Sequence, residues 1–176
     1  MDREGKYLIY DPMTAEVEVQ EFLYGYIRLV KPKLVVETGC YHGHTARKMA
    51  EALAENGEGV LHTCDTDIAC VGRAFLRTAG LPVKVHYQPS VEMIRSLPDK
   101  SVDIAFLDCG DRVQAARALL PKLSPFAAVL LHDTLIHHQQ EVVEIQSLTN
   151  WTAIQLMPQG RGLTLFIVRL LPPPHL

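Results

Sequence analysis

Apolar positions along the chain follow two periods, one suited to strands and one to helices. Short apolar runs recur at Leu34–Glu37, Val60–Cys64, Val83–Tyr87, Val102–Leu107 and Ala127–Leu131. Near-continuous runs of this length predict strands covered on both faces. Helical spacing lies between them. Residues 15–30 carry Val19, Phe22, Leu23, Tyr26 and Val30 on one predicted face and end at Pro32, which cannot continue a helix. Ala46, Met49, Ala50 and Leu53 mark a second helix, and a third runs from Asp67, an N-cap type, to the stop at Gly80. Met93, Ile94 and Leu97 face inward from a short helix after Ser90 that Pro98 ends, and Val113, Ala116, Leu120 and Leu123 mark another.

Strand–helix alternation predicts an α/β protein with a doubly wound parallel sheet. The end of the chain departs from that rhythm. After a helix near 138–149, the strand candidates Thr152–Met157 and Leu163–Leu170 are joined only by Pro158-Gln159-Gly160-Arg161-Gly162. A parallel crossover needs about a dozen residues, so this pair must be an antiparallel hairpin. The expected fold is a Rossmann-like, seven-stranded mixed sheet with an antiparallel C-terminal hairpin strand. The length of 176 residues predicts one domain over 1–176, with a helical segment in 1–30 and a proline-bearing tail, 172–176, that frays.

Charge and cysteine content narrow the partners. A net charge of −3 without a basic run predicts no nucleic-acid partner, and the apolar runs are strand-length, so no membrane span is expected. The start, Met1-Asp2-Arg3-Glu4, has no apolar signal core. Cys40, Cys64, Cys70 and Cys109 lack C-x-x-C spacing. They read as reduced thiols of a cytoplasmic protein.

The densest information sits in Val35-Val36-Glu37-Thr38-Gly39-Cys40-Tyr41-His42-Gly43-His44-Thr45. A strand-to-helix turn of this kind opens a crevice at the carboxyl edge of a parallel sheet. The dinucleotide fingerprint G-x-G-x-x-G needs a middle glycine where the backbone approaches a pyrophosphate. Tyr41 stands there instead. The loop therefore suits a ligand without phosphate and with a cationic end, with Glu37 expected to supply negative potential.

The pattern Glu37-x-Gly39-x-x-x-Gly43 resembles the first motif of class I S-adenosylmethionine-dependent methyltransferases, over about residues 30–170. More narrowly it is similar to small-molecule O-methyltransferases of the catechol and macrolide types. The resemblance implies S-adenosylmethionine as cofactor, bound by Glu37, Gly39, Tyr41, Gly43, Asp65, Ser90 and Asp108. Asp65 would accept the ribose hydroxyls, with Asp67 left to cap the next helix. Ser90 matches an adenine-contacting position, or else caps its own helix.

Two strand ends carry the reactive groups, Asp108 in Leu107-Asp108-Cys109-Gly110-Asp111 and Asp133 in Leu131-His132-Asp133-Thr134. Neighbouring strands lie about 4.8 Å apart, so these carboxylates can share one crevice and would repel without a cation between them. Metal-dependent catechol-type members imply a divalent metal, Mg²⁺, on Asp108 and Asp133, but Thr134 stands where they have Asn. Macrolide-type relatives have an acid at the position of His132, and imidazole favours softer metals. The catechol-type catalytic lysine is replaced by Asp111. His132, beside Asp133, is then the expected catalytic base, with His137 and His138 behind it.

The leading expectation is an enzyme that methylates a small hydroxylated molecule. A cofactor-binding module without turnover is the alternative, favoured by the lost lysine and by Thr134. An NAD-dependent enzyme is disfavoured by Tyr41 and the hairpin. With no inserted lid in the sequence, a partner subunit of a homodimer is expected to cover the site.

Overall fold

The computed structural model describes residues 5–149 and 151–167. The strand candidate's last residues, 168–170, and the tail at 172–176 lie outside the described residues. The elements run α1 (Val17–Val30), β1 (Leu34–Thr38), α2 (His44–Asn56), β2 (Val60–Asp65), α3 (Ile68–Arg77), β3 (Val83–Tyr87) and α4 (Ser90–Ser96). They continue with β4 (Val102–Leu107), α5 (Arg112–Leu119), β5 (Leu123–His132), α6 (Gln139–Thr149), β6 (Thr152–Met157) and β7 (Leu163–Ile167).

All seven strands form one sheet in the order β3-β2-β1-β4-β5-β7-β6. Five strands pair in parallel, and β7 is antiparallel to both β5 and β6. The hairpin therefore inserts its second strand between β5 and β6. The order reverses between β1 and β4, the topological switch point at which open α/β sheets bind ligands.

Two apolar layers cover the sheet. One packs Val36, Cys64, Leu107, Val129 and Leu131 against α4, α5 and Phe166. The other packs Val35, Leu61, Ile104, Phe106 and Leu130 against Leu23 and Ile27 of α1 and Met49 and Leu53 of α2. Strand residues alternate between the layers because successive side chains point to opposite faces.

Two helical readings shift. In α1 the buried face is Val19, Gln20, Leu23 and Ile27, while Phe22 and Val30 are exposed and Phe22 stacks on Tyr26 outside. Ile27 extends the Val19–Leu23 spacing by one helical turn, so the inner stripe runs along that row. Leu123 belongs to β5, where it pairs with Val102, rather than to α5. Leu120 is the C-cap of α5 and is exposed.

Candidate active site

The loop after β1 is held by backbone contacts to its neighbours. Gly39 and Cys40 donate to the Cys64 carbonyl at 3.0 and 2.9 Å. A side chain at Gly39 would meet the Asp108 carbonyl oxygen at 2.6 Å, and one at Gly43 would meet the Ala74 Cα at 2.6 Å. Both glycines have positive φ, 86° and 77°, and only glycine combines that conformation with such close approach. Tyr41 also has positive φ, 43°. An ordinary side chain there is strained, and strain of this kind gathers at functional sites. Its N–H is anchored by the Asp65 carboxylate at 2.9 Å, and its ring stacks on His42 at 3.7 Å between centroids.

Beside this loop lies a cavity of about 580 Å³. Gly39, Tyr41, Asp65, Ser90 and Asp108 line it, so the structure brings five of the expected cofactor residues together. Gly43 sits behind, as the N-cap of α2. Asp65, Asp67, Asp108 and Asp111 all face the cavity, and no lysine or arginine does among the described residues. That charge pattern favours a cationic ligand over a phosphate. Asp67 caps α3 by accepting from the Ala69 N–H at 2.8 Å. Ser90 does not cap α4: Pro89 is the N-cap, and the Ser90 hydroxyl accepts from the Cys109 thiol at 3.7 Å.

Glu37 corrects one expectation. Its carboxyl is buried below the loop, away from the cavity lining, and accepts from the Thr63 hydroxyl at 2.5 Å. Burial raises its pKa to about 8, only partly offset by Thr63. The group is mostly neutral at pH 7 and supplies little negative potential.

His132 corrects another. It is 0% exposed and lines neither cavity. Its Nδ1 donates to Asp108 Oδ1 at 3.1 Å and its Nε2 to Glu16 Oε2 at 2.7 Å. Two carboxylate acceptors require a proton on both nitrogens. Burial opposes the charge, but Asp108, Glu16 and Asp133 outweigh it and raise the ring to about 9. An imidazolium sealed from the cavities is a structural cation and not a free base. Burial also works against ionisation of Glu16 and Asp133. The His132 contact holds Glu16 below its usual range, and Arg161 does the same for Asp133.

Asp108, His132 and Asp133 do come close enough to share a metal ion, with ligand atoms within 4.8 Å of one another. Both Asp133 oxygens, both His132 nitrogens and Asp108 Oδ1 are already engaged. Arg161 grips Asp133 with Nε to Oδ1 at 2.5 Å and Nη2 to Oδ2 at 2.8 Å. Arg112 Nη2 lies 3.2 Å from Asp108 Oδ1 and 3.5 Å from Asp133 Oδ2. Three cations, Arg112, His132 and Arg161, thus face three carboxylates, Glu16, Asp108 and Asp133. Metal ligation needs a neutral imidazole. Thr134, at the position of the relatives' Asn, turns to Thr164 Oγ1 at 3.0 Å and Gln155 Nε2 at 3.3 Å. The donor set does not fit a divalent ion.

A second cavity, about 680 Å³, adjoins the first and shares Met13, Asp108, Cys109 and Gly110 with it. Ile9, Pro12 and Ile136 give it apolar walls, and Arg112, His137 and Arg161 give it polar ones. Thr14 and Ala15 line the first cavity, Ile9 and Pro12 the second, and Met13 both, so the N-terminal segment covers part of the crevice from within the chain. His138 is engaged by Arg112 at 2.8 Å and Glu141 at 3.0 Å.

Sequence reasoning missed Glu16, Arg112 and Arg161. For Arg161 a signal existed in the strand pairing. Leu163 pairs with His132, so the hairpin turn must come beside Asp133. Glu16 and Arg112 carried no comparable local signal.

Residues 36–134 match the sequence profile of a methyltransferase domain. Among curated proteins none matches the chain. Solved structures do. The O-methyltransferase TomG of Streptomyces achromogenes, involved in tomaymycin synthesis and solved with S-adenosylmethionine, superposes with a TM-score of 0.75 at 20% identity. That match covers 89% of this chain and 82% of TomG. A methyltransferase of Geobacter sulfurreducens gives 0.75 at 19% identity, over 94% and 93% of the two chains. An O-methyltransferase of Bacillus cereus, solved with S-adenosylhomocysteine, gives 0.76 at 15% identity, over 90% and 84%. At such identities the likeness is one of fold. The profile match is what decides the family, because it spans the glycine loop, Asp65 and the Asp108 and Asp133 strand ends together: the chain belongs to the methyltransferase domain family.

Proposed function

We propose that the protein is an S-adenosylmethionine-dependent O-methyltransferase acting on a small hydroxylated molecule. The observation that carries the reading is the first cavity, with four aspartates and no lysine or arginine in its described lining. S-adenosylmethionine has a sulfonium and an ammonium and no phosphate, and matches that field. The cofactors of TomG and of the Bacillus cereus enzyme support the same choice.

Bound S-adenosylmethionine would supply a methyl group already activated by its positive sulfonium. The chain's own task is to align donor and acceptor and to take up a proton. In this reading Asp65 accepts the ribose hydroxyls through lone pairs that Tyr41 and Asp67 N–H leave free, and Ser90 borders the adenine. Tyr41 and Gly39 shape the loop, and Asp108 stands where the two cavities meet. The acceptor enters the second cavity. His137, exposed and part of that lining, is the imidazole placed to take the hydroxyl proton. His132 acts beneath the floor as a positioning residue, and Asp133, in the lining of the second cavity, positions Arg161.

A cofactor-binding module without turnover is the second reading, favoured by the locking of His132 and by Asp111 at the position of the relatives' lysine. Thermal-shift titration separates the cofactor classes: S-adenosylhomocysteine should raise Tm and NAD should not. Stabilisation by NAD alone would remove the proposal. Turnover across a panel of phenols and polyols, with His137→Ala expected to lower kcat while leaving cofactor affinity intact, distinguishes enzyme from binder.

A further inference from the structure

The positive charge between Asp108 and Asp133 comes from side chains. We propose that Arg112 and Arg161 take the place of a divalent cation at this carboxylate pair, so that the site works without metal. The proposal rests on the reading of the crevice as a methyltransferase site.

Two guanidinium groups carry the same total charge as one divalent ion, and they cannot be deprotonated in a protein. Their planar fork suits carboxylates, and Arg161 uses it in full, with two parallel contacts to Asp133. Arg161 is fixed from a third side, where Nη1 donates to the Thr14 carbonyl at 2.9 Å. That contact ties the N-terminal cover to the same guanidinium. Arg112 is buried and spans both carboxylates and His138.

The buried side-chain atoms without a hydrogen-bond partner are Glu16 Oε1, Arg112 Nε and Glu141 Oε2 among the described residues. None belongs to His132 or Asp133, so neither of these two candidate ligands awaits an ion. A divalent ion entering there would have to displace Arg161 and lie against Arg112. Removing Arg161 should have the opposite effect, releasing Asp133 from its two short contacts, leaving only the longer ones to Arg112 and His132, and opening it to a hard cation.

Mn²⁺ serves as the probe, followed by electron paramagnetic resonance on the full chain, with S-adenosylhomocysteine binding measured on each sample by calorimetry. The wild-type protein should leave millimolar Mn²⁺ free and show no Tm change on adding EDTA. Arg161→Ala should gain an EDTA-reversible Mn²⁺ site that is lost again in the Arg161→Ala, Asp133→Asn double variant. A stoichiometric Mn²⁺ site in the wild type, abolished by Asp133→Asn, would overturn the proposal. So would a folded Arg161→Ala protein that gains no site. Should Arg161→Ala not fold, Arg161→Gln is the replacement, and the wild-type titration decides without any variant. Failure to bind S-adenosylhomocysteine would instead remove the methyltransferase reading and leave the Mn²⁺ result standing.

Discussion

The carboxylate of Asp65 accepts a hydrogen bond from the Tyr41 N–H at 2.9 Å, joining the end of β2 to the glycine loop after β1. Its other oxygen accepts from the Asp67 N–H at 3.0 Å. One side chain therefore sets the loop and faces the first cavity. Asp65→Ala should weaken S-adenosylhomocysteine binding by roughly tenfold or more, since hydrogen bonds to a charged group contribute about 1.5–3 kcal/mol. Asp65→Asn keeps an acceptor but loses the charge and should fall between. Calorimetric titration of the three proteins gives the order.

Tyr41 holds a backbone conformation that glycine adopts at lower cost. Tyr41→Gly relieves that strain but frees the unfolded chain, two effects of about 1 kcal/mol each and of opposite sign. Stability should therefore change little while affinity for S-adenosylhomocysteine falls. Urea unfolding paired with calorimetry checks both halves, and an unchanged affinity would remove Tyr41 from the cofactor site.

Glu37 links stability to pH. Its pKa rises from 4.5 in the unfolded chain to about 8 in the folded one, so its stabilisation is full below about pH 4.5 and is lost as pH rises through 8. Across that window it lowers stability by at most about 1.4 kcal/mol per pH unit. Glu37→Gln cannot ionise and should become the more stable protein at pH 8, with the gap closing towards pH 5. Melting curves of the two proteins across this range should diverge with rising pH.

His132 adds a second alkaline limb. Its folded pKa is raised from 6.5 to about 9, so its contribution is full below pH 6.5 and fades as pH passes 9. His132→Ala removes the cation between Asp108 and Glu16, leaving Arg112 on Asp108 but taking from the buried Glu16 the ring that bonds its Oε2. Breaking a buried pair costs about 3–5 kcal/mol, and Tm should drop accordingly at pH 7. A folded His132→Ala protein with unchanged Tm would contradict the buried-cation role.

The strand set was legible because buried parallel strands are short apolar runs that differ from amphipathic helices in period. The hairpin was legible from loop length alone. In α1 the chosen face drifted, since Phe22 and Val30 are apolar but exposed, and a sequence does not say which apolar stripe meets the core. Asp108 and Asp133 were found because strand ends of a parallel sheet converge on one edge.

By itself, then, the sequence determined the α/β architecture, the turn at Gly39–Gly43 and the gathering of Asp65, Asp108 and Asp133 at one edge. These follow from local periodicity, glycine conformation and strand direction. Tertiary structure decided the charge state and access of those groups. Glu16, Arg112 and Arg161 come from separate elements to surround His132 and Asp133, and burial turns Glu37 neutral and His132 cationic. Protonation depends on desolvation and on charges distant along the chain, which no local pattern carries.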